Sequence, residues 1–172
     1  SLTVIALVWS WLAKPITLDH SPIDTVTKLD CVSYAPFRGD QTPLNQELIV
    51  DPAQIREDLV EIARISNCVR TYSVDNGLDK VPELASQVGL KVLLGVWIGN
   101  GRVKNAQLVE TAVKLAKDYP NTISAIVVGN EVLLHGDMTP SDLRELLRFA
   151  LVRAGFGQNN VDNGRDITSK IK

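Results

Sequence analysis

The sequence predicts an α/β fold: a parallel sheet with helices packed outside it. Three observations carry this reading. Four short apolar runs alternate with four segments whose apolar residues recur at helical spacing, all between residues 29 and 153. The run at 123–128 is rich in Ile and Val without polar alternation, as in a strand buried on both faces. It ends abruptly in Gly129-Asn130-Glu131, so an amide and a carboxylate sit side by side where a buried strand emerges.

The first strand is expected at Leu29–Pro36, followed by the long polar loop Phe37–Pro43. The first helix of the alternating region starts at Asp51-Pro52-Ala53-Gln54. Asp suits the N-cap, Pro the first helical position, and Gln54 a capping-box-like return. Ile55, Leu59, Ile62 and Ile65 then mark its apolar stripe. The second strand is Asn67–Ser73, and the second helix carries Val81, Leu84, Ala85 and Val88 before a natural stop at Gly89. The third strand is Lys91–Ile98. Its loop leads to Asn105 as an N-cap, and Leu108, Val109, Ala112, Val113 and Ala116 form a helix ending near Pro120. After the fourth strand, Thr139-Pro140-Ser141-Asp142 opens a helix through Leu143, Leu146, Leu147, Ala150 and Leu151.

Outside these units the chain changes character. Residues 2–13 are apolar with no visible polar face and include Trp9 and Trp11. Twelve residues are too few to cross a bilayer, which takes about 20. They read as part of a membrane anchor or of a signal segment in preference to an amphipathic first helix. Residues 14–28 read as a linker, and 154–172 as an irregular polar tail. The domain plan is therefore 1–13 anchor or signal segment, 14–28 linker, 29–153 the alternating domain and 154–172 tail. A chain starting at Ser1 is expected to be part of a longer product.

Composition narrows the function. With 18 Lys+Arg against 20 Asp+Glu, there is no basic footprint for nucleic acid. Gly95-Val96-Trp97-Ile98-Gly99 lacks the spacing and the Lys of a phosphate loop. Cys and His are too sparse for a zinc site, and neither a metal nor a cofactor is expected. Cys31 and Cys68 are expected to lie on opposite faces of the sheet if Tyr34 and Tyr72 point into one site, which argues against a disulfide.

Four strand ends, taken in order, resemble family 17 of the glycoside hydrolases: Val32-Ser33-Tyr34-Ala35-Pro36-Phe37, Val69-Arg70-Thr71-Tyr72, Leu94-Gly95-Val96-Trp97 and Val128-Gly129-Asn130-Glu131-Val132. Within that family the likeness points to the bacterial, membrane-attached members described as β-glucan synthases or β-1,3-glucanosyltransferases. It spans roughly residues 29–150 and implies the first four βα units, a half-barrel, of a (β/α)8 TIM barrel, which typically takes about 250 residues. A smaller open sheet is the alternative. The resemblance maps the acid/base Glu onto Glu131, while the family's nucleophilic Glu belongs to the second half of the barrel. Trp97-Ile98 departs from the plant members' pattern.

The chemistry agrees with that mapping. Retaining glycoside cleavage uses one carboxylic acid to protonate the leaving oxygen and a second carboxylate, about 5–5.5 Å away, to attack the anomeric carbon. Glu131 suits the first role, and Asn130 can bond a sugar 2-hydroxyl. Tyr34, Tyr72 and Trp97, near successive strand ends, offer stacking faces or hydroxyls. Arg70 shares a face with Tyr72 and needs a partner in the site. His135 reads as a loop residue. The expected partners are a β-glucan and, through the N-terminal segment, a membrane, with the protein anchored or exported, facing a bacterial periplasm. The chain alone is expected to be inactive, because a single carboxylate cannot perform double displacement; turnover would send the search for another nucleophile to Asp40, Asp75 and Asp137. A non-catalytic carbohydrate-binding half-barrel is the second reading. Four strands alone would leave an open inner face, expected to include Val32, Cys68, Val92 or Leu93, and Val127.

Overall fold

The computed structural model describes residues 2–14, 28–45 and 47–154. The expected linker and tail lie outside these residues but for their end positions. After the N-terminal helix α1 (Leu2–Leu12) come β1 (Val32–Ser33), α2 (Pro52–Ile65), β2 (Cys68–Arg70), α3 (Val81–Gln87), β3 (Lys91–Val96), α4 (Arg102–Asp118), β4 (Ile123–Val128), the single turn α5 (Val132–His135) and α6 (Pro140–Ala154). The strands lie in the order β1-β2-β3-β4, every neighbouring pair parallel. This is the expected half-barrel plan.

Local chemistry explains most boundaries. Asp51 caps α2, its carboxylate accepting from the Ala53 N–H at 2.8 Å, with Pro52 at the first helical position. Thr139 caps α6 by accepting from the Asp142 N–H at 3.2 Å. Gly89 takes φ +75° just past α3, where a side chain would strain the turn. Two expected caps behave differently. Gln54 does not return to its own helix end; its amide donates to the Pro36 carbonyl at 2.6 Å and to Gln41 at 2.9 Å, tying α2 to the loop after β1. Asn105 sits inside α4, almost fully buried. It bonds both the carbonyl and the N–H of Gly99, at 2.7 and 3.1 Å, and so pins the loop after β3.

The core lies between sheet and helices. Val69, Val92 and Leu94 on the sheet and Ile55, Leu59 and Ala112 on the helices are fully buried. Burying a Val, Leu or Ile contributes about 1.5–3 kcal/mol each. The register assigns the faces. Val32 pairs with Val69, and Val69 with Val92, so these three share the helix-packed face. That corrects the expectation for Val32 and Val92. The opposite, inner face carries Ser33, Arg70, Leu93 and Gly95, with Ala125 and Val127 in register beside Leu93 and Gly95. Leu93, Ala125 and Val127 are only half-buried there.

The register also overturns the expectation about the cysteines. Cys31 and Cys68 form a disulfide, with their Cα atoms 4.3 Å apart. Each directly precedes one of the paired residues Val32 and Val69, and partners in a parallel ladder present their side chains on the same side. That expectation supposes Tyr34 and Tyr72 on one face. In register they lie on opposite faces.

Helix α1 is exposed along its length, Trp9 and Trp11 included. No helix among the described residues is long and apolar enough to cross a membrane.

Candidate active site at the carboxyl ends of the strands

Side chains from three strand ends converge on the inner face. Arg70, the last residue of β2, donates from Nη2 to Oδ1 of Asn130 at 3.0 Å, bridging 60 positions of sequence. Its guanidinium also lies 4.4 Å from the centre of the Tyr72 ring, a cation–π distance. The Tyr72 hydroxyl donates to Ser33 Oγ at 3.0 Å. Ser33, Tyr72, Arg70 and Asn130 thus form one polar row from the edge strand β1 to β4.

Gly95 makes that row possible. A Cβ built on it would fall 2.1 Å from the Thr71 carbonyl oxygen and 2.6 Å from the Tyr72 Cα. The end of β2 therefore leans directly over β3, carrying Tyr72 with it, and a glycine leaves the necessary space. Buried Thr71 fastens the crossing: its N–H donates to the Leu93 carbonyl at 3.1 Å and its Oγ1 accepts from the Gly95 N–H at 3.0 Å.

The turn after β4 is equally constrained. Gly129 has φ +83°, and a Cβ there would meet Val132 Cγ2 at 2.5 Å. Glu131 itself takes φ +53°, ψ +24°, a left-handed conformation uncommon for a residue with a Cβ. The carboxylate it presents is 59% exposed, so a ligand can reach it. Arg donates only, so its bond to Oδ1 fixes the Asn130 amide and leaves Nδ2 as the free donor toward a ligand.

Of the residues the sequence singled out, Arg70, Tyr72 and Asn130 are brought together, with Glu131 next in the chain. Trp97 stands just past β3, 44% exposed, two residues beyond Gly95. Tyr34 does not join them. It is buried, and its hydroxyl donates to Asp58 Oδ2 of α2 at 2.9 Å. Burial, then the hydrogen bond and the negative charge of Asp58, push its phenol above the usual tyrosine value, with the Arg38 charge opposing. Asp58 also pairs with Arg38 of the following loop, so Tyr34 anchors α2 to the sheet. The sequence reading missed Ser33, Thr71 and Gly95. A glycine inside an otherwise apolar strand was the available signal for the last. Among the described residues, no group of three or more His, Cys, Asp or Glu is placed to hold a metal ion.

Known proteins resemble this chain over much of its length. Residues 31–164 match the family model of the BtgE/BtgC glycoside hydrolase domain. Probable beta-glucosidase btgE of Aspergillus oryzae is 37% identical over 76 residues, covering 44% of this chain and 12% of that protein. Probable glucan endo-1,3-beta-glucosidase btgC of Aspergillus flavus is 27% identical over 139 residues, covering 76% of this chain and 20% of that protein. The fold is similar to that of the glycoside hydrolase family 17 β-1,3-glucanosyltransferase of Rhizomucor miehei, with TM-score 0.59 and 17% identity over 72% of this chain and 44% of that one. An active-site mutant of the same enzyme in complex with laminaritriose superposes equally well. The chain thus spans less than half the length of each of these proteins. All of them are fungal, so the expected bacterial, membrane-attached type gains no support from them. The match over residues 31–164, with the parallel strands and their polar rim in place, makes this chain a member of the BtgE/BtgC glycoside hydrolase family.

Proposed function

We propose that this chain forms the first half of the catalytic barrel of a β-1,3-glucan-active enzyme, a retaining glycoside hydrolase or glucanosyltransferase, with Glu131 as its general acid/base. The observation that carries the reading is the Arg70–Asn130 pair beside Glu131, at the end of β4, in a chain of this family. Asn130, oriented by Arg70, offers its free N–H to a sugar hydroxyl. Glu131 donates its proton to the leaving glycosidic oxygen and later takes one from the acceptor, which is water in hydrolysis and a sugar hydroxyl in transfer. Tyr72 and Trp97 supply flat faces for pyranose rings. The second carboxylate of the double displacement comes from outside these residues. The mutant glucanosyltransferase bound to laminaritriose supports the choice of β-1,3-glucan.

The test uses the purified chain and laminaritriose. We expect measurable binding that Arg70→Ala weakens about tenfold or more, with no cleavage or transfer products. Absence of binding removes the sugar-site reading. Turnover with retention removes the half-site reading and sends the search for a nucleophile to Asp40, Asp75 and Asp137. Binding without turnover even when the second half of a barrel is supplied favours the alternative, a carbohydrate-binding half-barrel.

We further propose that the protein works outside the reducing cytosol, held at a membrane through its N-terminal segment. The Cys31–Cys68 disulfide supports an oxidising compartment, and the largely apolar, uncharged and exposed α1 supports the attachment. The chain should sediment with lipid vesicles, and removal of residues 1–13 should release it. Equal sedimentation of both forms would exclude the helix as the anchor.

A further inference from the structure

The turn that presents Glu131 also builds an arrangement around His135 that the polar row does not use. Left-handed residues stand at both ends of α5: Glu131 before it and Gly136, at φ +72°, after it. Within the turn the His135 N–H donates to the Glu131 carbonyl at 2.9 Å, and the Asp137 N–H to the Val132 carbonyl at 3.1 Å. The chain is thereby wound so that the His135 ring has a carboxylate at each nitrogen. Glu131 Oε2 lies 3.6 Å from Nε2, and Asp137 Oδ2 lies 3.8 Å from Nδ1. Asp137 is anchored in turn from the loop after β3. With its amide nitrogen turned toward Asp137, Asn100 donates to the Asp137 carbonyl oxygen at 3.1 Å and to Oδ1 at 3.0 Å. Exposure falls along the series, from 59% at Glu131 to 46% at His135 and 23% at Asp137.

We propose that His135 is a positioning residue for Glu131, and that Asp137 sets the tautomer in which it acts. When Glu131 carries its proton, Asp137 is the ionised carboxylate left facing the ring, and it holds the single N–H of a neutral imidazole at Nδ1. Nε2 is then left bare toward Glu131. A bare nitrogen can accept from the O–H of the Glu131 carboxyl and cannot donate to it. It therefore steadies the acid form, the one that protonates a leaving oxygen. The present separation closes to a hydrogen bond with a small side-chain rotation, and hydrogen bonds of catalytic groups commonly tighten only when ligand is bound. The inference rests on the reading of Glu131 as the acid/base residue. It adds a fourth strand end to the site, since Asn100 links the loop after β3 to the turn after β4.

The measurement is a long-range proton–nitrogen correlation spectrum of the imidazole rings in the intact chain at neutral pH. The sequence has two histidines, so His135→Gln assigns the pattern by deleting one of the two ring systems. In Glu131→Gln, whose uncharged amide stands in for the acid form and can donate to a bare nitrogen, we expect His135 as the Nδ1–H tautomer with its Nε2 resonance shifted from that of wild type, and movement toward the Nε2–H form when Asp137→Asn is added. An Nε2–H ring in Glu131→Gln overturns the proposal. So does an Nε2 resonance that Glu131→Gln leaves in place. Neither outcome depends on turnover, so the assignment of Glu131 as acid/base is decided separately, by kinetics.

Discussion

Tyr34 shows how one residue's role depends on register. Its place near a strand end predicts a sugar contact. Its N–H donates to the Arg70 carbonyl at 2.9 Å, which extends the β1–β2 pairing and sends its side chain to the helix side. There it is buried against Asp58. Replacing it with Phe strands a carboxylate acceptor and should cost about 1–2 kcal/mol at neutral pH. The pH dependence follows from the raised phenol value. An unfolded Tyr loses its proton near 10, whereas in the folded chain it holds the proton to higher pH. Its contribution is therefore complete below about pH 10 and is lost as the pH climbs beyond that point. Denaturant melts of wild type and Tyr34→Phe should converge above pH 10. A difference that stays constant across that range would contradict the assignment. Ser33, one residue earlier, points to the inner face and reaches Tyr72. Sequence spacing alone offered no choice between the two neighbours.

At the scale of elements, legibility followed the strength of the local signal. The Ile/Val-rich run coincides with β4, and the caps and Pro residues mark the starts of α2 and α6. For the edge strand β1 the sequence predicts eight residues, but its ladder holds only Val32 and Ser33. An edge strand pairs on one side only, and the polar loop beyond it satisfies its groups through Gln54 and Gln41 instead. So short a ladder needs other support, and the disulfide to the start of β2 supplies it. Joining positions 37 residues apart, the bridge removes chain entropy from the unfolded state, worth about 2–4 kcal/mol. Cys31→Ser/Cys68→Ser should lower the unfolding free energy by that amount and expose β1 amides to faster hydrogen exchange. Unchanged stability, or exchange spread evenly over the sheet, would show that β1 does not depend on the bridge.

For the molecule as a whole, the sequence was informative about architecture and about the residues of the rim, because both come from alternation and from motifs at strand ends. It was uninformative about what joins them. The lean of β2 over Gly95, the Arg70–Asn130 bond and the disulfide all depend on which residues stand opposite each other in the ladder, and register is a property of the assembled sheet. The assembled sheet presents a polar row, an exposed carboxylate in a strained turn, and a half-buried apolar strip of Leu93, Ala125 and Val127 beneath them. Under the proposed function it is one half of a catalytic barrel, the half that carries the acid. The central claim is therefore the role of Glu131. It is tested most directly by Glu131→Gln in a protein carrying both halves, comparing kcat/KM for laminaritriose with that for an aryl β-glucoside whose leaving group needs no proton. The account predicts a loss of about 10²–10⁴-fold on the oligosaccharide and a much smaller loss for formation of the glycosyl-enzyme from the aryl substrate. Equal losses on both substrates, or near-normal turnover of laminaritriose, would contradict it.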